Sequence, residues 1–398
     1  MTYSFLEGQK YQCIACGRCC QNWEIHVSKE EEKKLLQRDW KSLAPRISGV
    51  EAVVGDGLLL FKENKCIFLE PDLKCLIQAK CSYDEKPLSC RQFPIWVTET
   101  PEGKRITPSF FCLAVLRNQG VHLKENPELS PEAIAKFAIS PVKLPINLLG
   151  QASVDWNEFR KYESEFFSIL DKKDLDLQRQ IIAIYHRGHE IARAKVNNRE
   201  IKPLEESVSA ALKETHVSEP TKARFIRAIF LVFIEEATLE KGKQSGSSFA
   251  FSFVWQTLKM ALEWGSIRIS ALGHEFPVIE VDKVPFDWKD PQLTELLNRY
   301  LKNLVFRGQV LTEQGVFRGV STMMIAFSLV VWYSRFSALA NKRPKVSLED
   351  LETGVSLVEK LFIQHTKGVQ KLVSEGLFSI LLEILMARQP VATSLVLF

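Results

Sequence analysis

The chain has 398 residues, of which 46% are hydrophobic and 25% charged, and its 52 basic and 48 acidic residues give a formal net charge of +4. These values are typical of a globular protein with two or three domains. The small net charge, without a dense Lys/Arg stripe, argues against nucleic-acid binding. All nine cysteines lie at or before Cys112. Their odd number, the chain length and a polar start without an apolar signal segment disfavour a disulfide framework and indicate a reducing, cytoplasmic location.

A run of four cysteines within eight residues organises the first part of the chain: Cys13, Cys16, Cys19 and Cys20. Two-residue spacers let the backbone turn so that successive sulfurs face one centre, as in zinc knuckles and iron–sulfur loops. Gly17 accepts positive φ in such a turn, and the charge of Arg18 favours the thiolate form. The run therefore predicts a metal site. Because the last two cysteines are adjacent, we expect their side chains to diverge and not to share one mononuclear ion.

Short elements follow in chain order. A capped, charged helix is predicted at residues 28–40, after a short strand in which His26 is interpreted as a solvated residue. A β-hairpin is predicted at residues 50–61. Cys66 and Cys75 then lie on either side of a second bend. A tight turn of this kind commonly holds metal ligands, because it fixes the direction of the sulfurs.

Three further cysteines complete the predicted metal-binding domain. Cys81 receives no role, Cys90 lies in a segment stiffened by prolines, and Cys112 is the last cysteine of the chain. Arg91 has two interpretations. It is either a donor to cluster sulfur or to a substrate carboxylate, or a partner in a surface ion pair. We carry Arg91 forward as a candidate cofactor-binding residue.

The remainder of the chain has helical periodicity. Its first helix repeats apolar residues every three or four positions from Trp156 to Leu170, as a buried helical face does. Further helices are predicted at residues 177–194, 225–234, 251–264, 292–306, 320–340, 347–365 and 369–388. His186 and His189 lie one turn apart without an acidic or cysteine partner close in sequence. They are interpreted as solvated helix residues rather than as metal ligands.

These elements predict an α+β fold, mostly α. A small cysteine-rich metal-binding domain with short β-hairpins spans residues 1–119, and residues 120–150 form a connector with one short helix. A large all-helical domain spans residues 151–398, with a break near the flexible segment 241–248. Its most apolar stretch, residues 320–333, is shorter than a membrane span and is interpreted as a buried core helix.

The ordered cysteine motifs resemble those of the CxxCxxCC cysteine-cluster domain family. These motifs are Cys13-x-x-Cys16-Gly17-x-Cys19-Cys20, Cys66-Ile67-Phe68-Leu69, Cys75 and Lys86-Pro87-x-x-Cys90-Arg91-x-Phe93-Pro94. They occur in one order over the whole cysteine-containing part of the chain. The resemblance implies that this part of the chain chelates zinc or iron.

A broader resemblance is to the bacterial flagellin lysine N-methylases, which carry a related cysteine domain ahead of a helical region. It rests on the helical layout of residues 155–191 and 297–365 and on a few residues of the cysteine domain: Cys19-Cys20, Trp23, Ile25, Cys90-Arg91 and Cys112. This resemblance implies a 4Fe–4S cluster. It also implies methyl transfer from S-adenosylmethionine to lysine side chains of flagellin or of another protein substrate.

Ligand counts leave the metal and the number of centres open. The candidate metal ligands are Cys13, Cys16, Cys19, Cys20, Cys66, Cys75, Cys90 and Cys112. An all-thiolate zinc site and a 4Fe–4S cluster each take four thiolates. One centre with additional structural or redox-active thiols and two separate centres are therefore both compatible with the sequence. For a single cluster, the favoured ligands are Cys13, Cys16 and one of the vicinal pair, joined by Cys90 or Cys112.

Three functions are compatible with this interpretation. The first is a protein-lysine N-methylase in which the metal centre positions or activates the methyl donor. The second is a non-enzymatic zinc- or iron-chelating protein, in which the metal stabilises a small domain. The third is a thiol-based redox or metal-handling protein that uses the surplus cysteines. The sequence identifies no catalytic base and does not define an oligomeric state.

Overall fold

The computed structural model describes residues 2–21, 25–47, 53–54, 57–63, 65–213, 216–239, 247–364 and 383–397. It divides into two compact units, Met1–Ser140 and Pro141–Phe398. The first carries short strands and short helices, and the second is dominated by long helices, so the predicted α+β, mostly α fold class is confirmed. The boundary between the units falls within the predicted connector at residues 120–150, whose own limits stay a prediction.

The strands of the first unit are short. In chain order they are β1 (Tyr3–Phe5), β2 (Lys10–Tyr11), β3 (Val53–Val54), β4 (Leu58–Leu59), β5 (Phe61–Lys62), β6 (Lys65–Cys66), β7 (Ile95–Thr100), β8 (Gly103–Pro108), β9 (Val121–His122) and β10 (Ile139–Pro141). The longest two, β7 and β8, form an antiparallel hairpin in the middle of a four-stranded sheet with the order β1-β8-β7-β10. No strands were expected from the sequence at residues 95–108. The predicted hairpin at 50–61 corresponds to the pairing of β3 with β4.

The helices of the first unit are also short. They are α1 (Lys29–Gln37), α2 (Trp40–Leu43), α3 (Leu76–Lys80), α4 (Leu88–Gln92), α5 (Leu113–Leu116) and α6 (Pro131–Ile134). The predicted cap of α1 is present: the Ser28 hydroxyl accepts a hydrogen bond from the Glu31 backbone amide, and the Glu31 carboxylate accepts one from the Ser28 amide. The same carboxylate also accepts a hydrogen bond of 2.6 Å from the Leu88 amide. It therefore connects α1 to the start of α4, which carries Cys90.

A small apolar core lies beneath these elements. It contains Ile25, Val27, Leu35, Trp40, Ala44, Ile47, Leu59, Cys66, Ile67, Phe68, Leu76 and Ile77. The Trp40 and Phe68 rings pack with their centroids 4.6 Å apart. Four further cysteines pack against this core: Cys20, Cys75, Cys81 and Cys90. The apolar core of the first unit thus brings together cysteines from distant parts of the sequence.

The second unit consists mainly of long helices. They are α7 (Trp156–Leu170), α8 (Leu177–Val196), α9 (Leu204–Lys213), α10 (Pro220–Leu239), α11 (Ser247–Ala261), α12 (Val278–Lys283), α13 (Pro291–Arg307), α14 (Gln309–Glu313), α15 (Val316–Ala340), α16 (Leu348–Val358) and α17 (Gln389–Leu397). A π-helix, Glu359–Gln364, continues α16. The unit also contains two hairpins, β11 (Ile146–Leu149) with β12 (Ala152–Val154) and β13 (Ser266–Ile269) with β14 (His274–Pro277). Neither hairpin was expected from the sequence.

Helix α15 is the centre of the second unit and packs against α8, α14, α16 and α17. Within the described part of the chain it is the one helix long and apolar enough to cross a membrane, and 94% of its apolar window is buried inside the protein. Its contact with α16 is close at Gly354, where a Cβ would lie 2.6 Å from the carbonyl oxygen of Val330. Burial on all sides explains why this stretch is uniformly apolar.

One expectation for the second unit, that the two histidines of α8 are solvated, is wrong. His186 and His189 are buried rather than solvated, with 6% and 1% of their surface exposed. The His189 ring stacks on Phe317 at a centroid distance of 3.8 Å, and its Nε2 lies 3.2 Å from the Ser321 hydroxyl. Sequence periodicity missed this burial because both faces of α8 are covered. The segment predicted as flexible at 241–248 and most of the helix predicted at 369–388 lie outside the described residues, while α11 already begins at Ser247.

Candidate metal centre

The cysteine run forms a tight loop. Ala15 and Gly17 both have positive φ, at 50° and 69°, and a single 3₁₀ turn, Arg18–Cys20, follows. The Cys20 amide closes this turn by donating a hydrogen bond of 3.0 Å to the Gly17 carbonyl. Two left-handed residues within three positions turn the backbone sharply, and the loop brings Cys13, Cys16 and Cys19 to one cavity.

The end of the cysteine domain returns to this loop. Strand β2 pairs antiparallel with β9, with Tyr11 opposite Val121, and the Gln9 side-chain amide donates hydrogen bonds to the Val115 carbonyl at 3.2 Å and to the Asn118 side chain at 3.0 Å. Helix α5, which begins after Cys112, is therefore held against the segment that leads into Cys13. Residues about a hundred positions apart in sequence come together by this pairing.

A cavity of about 60 Å³ lies where these segments meet. Five of the residues that line it are thiols: Cys13, Cys16, Cys19, Cys90 and Cys112. They include every residue of the favoured single-cluster set except Cys20, but their role as ligands stays a prediction. Charged and phenolic groups also line the cavity: Arg18, Lys86, Glu128, Tyr11 and Tyr83. All nine cysteines of the chain are free thiols.

The other predicted ligands lie in the core of the first unit. An antiparallel bridge pairs Gln21 with Lys65, so the residue after Cys20 lies opposite the residue before Cys66. A second bridge pairs Leu69 with Cys75, and the Leu69 amide donates a hydrogen bond of 2.9 Å to the Cys66 carbonyl. This turn brings the two cysteines of the predicted bend to the same side of the core, and their role as ligands stays a prediction.

Contrary to expectation, the side chains of the vicinal cysteines, Cys19 and Cys20, do not diverge. The sulfurs of Cys19 and Cys20 lie 3.9 Å apart. Their surroundings nevertheless differ, since Cys19 lines the cavity and Cys20 packs against the apolar core. The 3₁₀ turn keeps the two side chains close, which sequence adjacency alone does not predict.

Cys81 and Arg91 are held by contacts of their own. A guanidinium nitrogen of Arg38 lies 2.7 Å from the Cys81 sulfur, so Cys81 already has a polar partner. Arg91 donates a hydrogen bond of 3.0 Å to the Lys86 carbonyl and lies 3.7 Å from the Asp84 carboxylate. Arg91 is not among the described residues that line the cavity. Its contacts correspond to the ion-pair interpretation, and a cofactor-binding role stays a prediction.

The electrostatics of the thiols reflect their burial and their proximity to one another. Burial raises the pKa of Cys112 to about 12, and the neighbouring Cys19 and Cys16 raise it further in the same direction. Burial also raises the pKa of Cys66 to about 12, with Cys75 and Cys19 adding to the effect. Burial raises the pKa of Cys13, and the hydrogen bond with Cys20 followed by burial raises that of Cys19, while Lys86 partly offsets both effects. Without a cation these four thiols, Cys13, Cys19, Cys66 and Cys112, are therefore protonated, and a bound metal would have to displace their protons.

Within the described residues, no group of three or more His, Cys, Asp or Glu side chains is already arranged to hold a metal ion. His26, which the sequence analysis treated as solvated, is exposed. The thiols surround the cavity without forming a complete coordination shell. Sites of this kind commonly close when the metal binds, because ligand deprotonation and folding are coupled to binding.

Two residues that line the cavity, Lys86 and Tyr11, were not expected there from the sequence. Lys86 was noted as part of a motif but received no role, yet it lines the cavity and its ammonium group lies 5.3 Å from the centre of the Tyr83 ring. Tyr11 is buried beside Cys13 and Cys112, and burial followed by the charge of these two thiols raises its pKa. The signal for both residues was their spacing: Tyr11 precedes Cys13 by two positions, and Lys86 precedes Cys90 by four.

Comparison with known proteins gives one match. Residues 12–112 match the model of the CxxCxxCC family, which is described as a "putative zinc- or iron-chelating domain". Searches of curated proteins and of solved structures found no match, so the resemblance to flagellin lysine N-methylases has no support from these comparisons. The match covers the segment that contains all nine cysteines. Residues 12–112 are thus similar to the CxxCxxCC family, and this match supports zinc or iron chelation.

Proposed function

We propose that the first unit binds zinc or iron through thiolates gathered around the cavity. The observation that carries this proposal is the position of five free thiols, from both ends of the cysteine domain, around a single cavity of about 60 Å³. Thiolates are the ligands that zinc and iron–sulfur clusters prefer. Free thiols in this number also favour a reducing compartment such as the cytoplasm.

The chain itself provides the conditions for binding. Lys86 and Arg18 line the cavity and supply positive charge next to the thiols, which favours the thiolate form. Two left-handed residues fix the loop that carries Cys13, Cys16 and Cys19. A bound metal would hold its ligands as thiolates and would stabilise a unit whose apolar core is small. The donor set fits zinc and a 4Fe–4S cluster equally, since each takes four thiolates.

Methyl transfer to flagellin stays a prediction of the broader resemblance. Sites for organic cofactors commonly have volumes of roughly 300–1,000 Å³, whereas this cavity measures about 60 Å³. A cavity of this size suits an inorganic group, and S-adenosylmethionine would have to bind elsewhere on the chain. Calorimetric titration of the metal-loaded chain with S-adenosylmethionine tests this function. An absence of binding would contradict it.

Elemental analysis of the full chain purified without oxygen tests the proposed metal binding. We expect zinc or iron in at least stoichiometric amount, and a visible absorption spectrum distinguishes a coloured iron–sulfur cluster from colourless zinc. The double variant Cys13→Ser/Cys16→Ser should bind less metal than the wild type. A chain that is folded but binds neither metal, even after incubation with zinc or with iron and sulfide, would contradict the proposal.

A further inference from the structure

The nine cysteines occupy two different environments. Five of them line the cavity, and we call four of these, Cys13, Cys16, Cys19 and Cys112, the cavity group. Five lie in or against the apolar core, and we call four of these, Cys20, Cys66, Cys75 and Cys90, the core group. We propose that each group holds its own metal centre, so that the domain contains two centres. This inference rests on the proposed metal binding and specifies its ligands.

The backbone assembles the core group from three segments. The Gln21–Lys65 bridge brings the residue after Cys20 against the residue before Cys66, and the Leu69–Cys75 bridge returns the chain to the same side. The fourth member, Cys90, lies on α4, whose first amide is bound by the Glu31 carboxylate at 2.6 Å. Cys66 is 6% exposed and belongs to the apolar core itself. A metal held here would be enclosed by protein, as structural metal sites are.

The cavity group is assembled by different contacts. Cys13, Cys16 and Cys19 come from one loop, and Cys112 is delivered by the pairing of β2 with β9. Cys13 is exposed, so solvent reaches this group directly. A metal held here would exchange with solutes more readily than one enclosed in the core.

Cys90 touches both environments, since it lines the cavity and also packs against the apolar core. It lies on α4, whose first amide donates to the Glu31 carboxylate of α1. Helix α1 contributes Leu35 to the apolar core. We assign Cys90 to the core group because its helix is joined to this core element.

The proposed division uses eight thiols and leaves Cys81. The Cys81 sulfur already accepts a hydrogen bond of 2.7 Å from the Arg38 guanidinium. The vicinal pair contributes one sulfur to each group, and these two sulfurs lie 3.9 Å apart. The two proposed centres would therefore be neighbours. This arrangement gives a reason for two adjacent cysteines in the sequence, because one turn supplies a ligand to each side.

Metal stoichiometry of the full chain and of three variants tests the proposal. We expect the wild type to bind about two zinc ions, or about eight iron atoms as two 4Fe–4S clusters. Cys13→Ser/Cys16→Ser should retain half of the metal, and Cys66→Ser/Cys75→Ser should retain the other half if it folds. The control Cys81→Ser should retain all of it. Cobalt reconstitution adds a spectroscopic count, since thiolate-to-cobalt absorption should fall by half in each double variant.

A second measurement covers the case in which the core variant does not fold. The metal-loaded wild type is treated with a chelator, alkylated at intervals and analysed by mass spectrometry. We expect the four cavity-group thiols to become reactive together and before the four core-group thiols. Simultaneous labelling of all eight, a single equivalent of metal in the wild type, or complete metal loss in folded Cys13→Ser/Cys16→Ser would overturn the two-centre proposal but not metal binding. A folded wild type without any metal would overturn both.

Discussion

At the scale of single residues, Gly17 controls the shape of the cysteine loop. Its φ of 69° lies in the left-handed region, and a Cβ at this position would come within 3.3 Å of a Leu73 methyl carbon and 3.4 Å of a Leu69 methyl carbon. A side chain here would therefore be disfavoured by its own backbone and by contact with the turn that carries Cys66 and Cys75.

We expect Gly17→Ala to lower the free energy of unfolding of the first unit by about 1–2 kcal/mol and to weaken metal binding, because the backbone penalty falls between two ligands. Gly8→Ala is a matched control. Gly8 has a similar φ of 73°, but no atom lies within 4 Å of its Cβ position and it is outside the loop. Urea unfolding and competition with a chromophoric chelator measure the two effects. Equal loss of metal affinity in both variants would show that the loop geometry is not required.

Two neighbouring cations of one motif have different positions. Arg91 donates to the Lys86 carbonyl and thereby fixes the backbone of the segment, while the Lys86 side chain reaches the cavity and interacts with the Tyr83 ring. Arg91 is the functional candidate in the sequence because a guanidinium suits sulfur and carboxylate partners. The choice between two cations five positions apart depends on side-chain direction, which the spacing of residues in the sequence does not show.

At the scale of elements, α8 carries two histidines into the core of the second unit. Burial lowers the pKa of His186 to about 4. Burial, followed by the charges of Arg193 and His186, lowers that of His189 well below its usual value. Both rings are therefore neutral in the folded chain at neutral pH. In the unfolded chain they take up protons near pH 6.5.

The stability of the second unit should consequently fall in mild acid. Its contribution from these histidines is complete above pH 6.5 and decreases as the pH falls towards 4, by up to about 1.4 kcal/mol per pH unit for each ring. Urea midpoints measured between pH 7.5 and 4.5 report this slope. His189→Phe, which keeps an aromatic ring between Tyr185 and Phe317, should make the slope shallower. His216→Gln, at an exposed position, should leave it unchanged, and equal slopes in all three proteins would contradict the prediction.

At the scale of the whole molecule, the two units depend on different interactions. The second is built on long helices around α15, and it contains no cysteine. The first has short strands, short helices and a small core to which five cysteines contribute. Small units of this kind commonly need a metal for stability. Loss of metal should therefore affect one unit and spare the other.

Hydrogen exchange of the metal-loaded and chelator-treated chain tests this difference. We expect the chelator to accelerate exchange in peptides from Met1–Ser140, with the largest change around the cysteines, and to leave peptides from Pro141–Phe398 at their original rates. Cys81→Ser provides a control chain that should respond as the wild type does. Unchanged exchange of the first unit after complete metal removal would show that its fold does not depend on the metal.

The sequence by itself determined the concentration of thiols before Cys112, the mostly helical second half and the capped start of α1. These features depend on composition, on spacing and on hydrogen bonds between residues three positions apart, all of which are local. The tertiary structure decided which thiols share an environment, because strand pairing joins residue 21 to residue 65 and residue 11 to residue 121. It also decided that His186 and His189 are buried, since packing from several helices covers both faces of α8. Contacts between distant segments leave no periodic pattern in the sequence, and for that reason the structure was needed to find them.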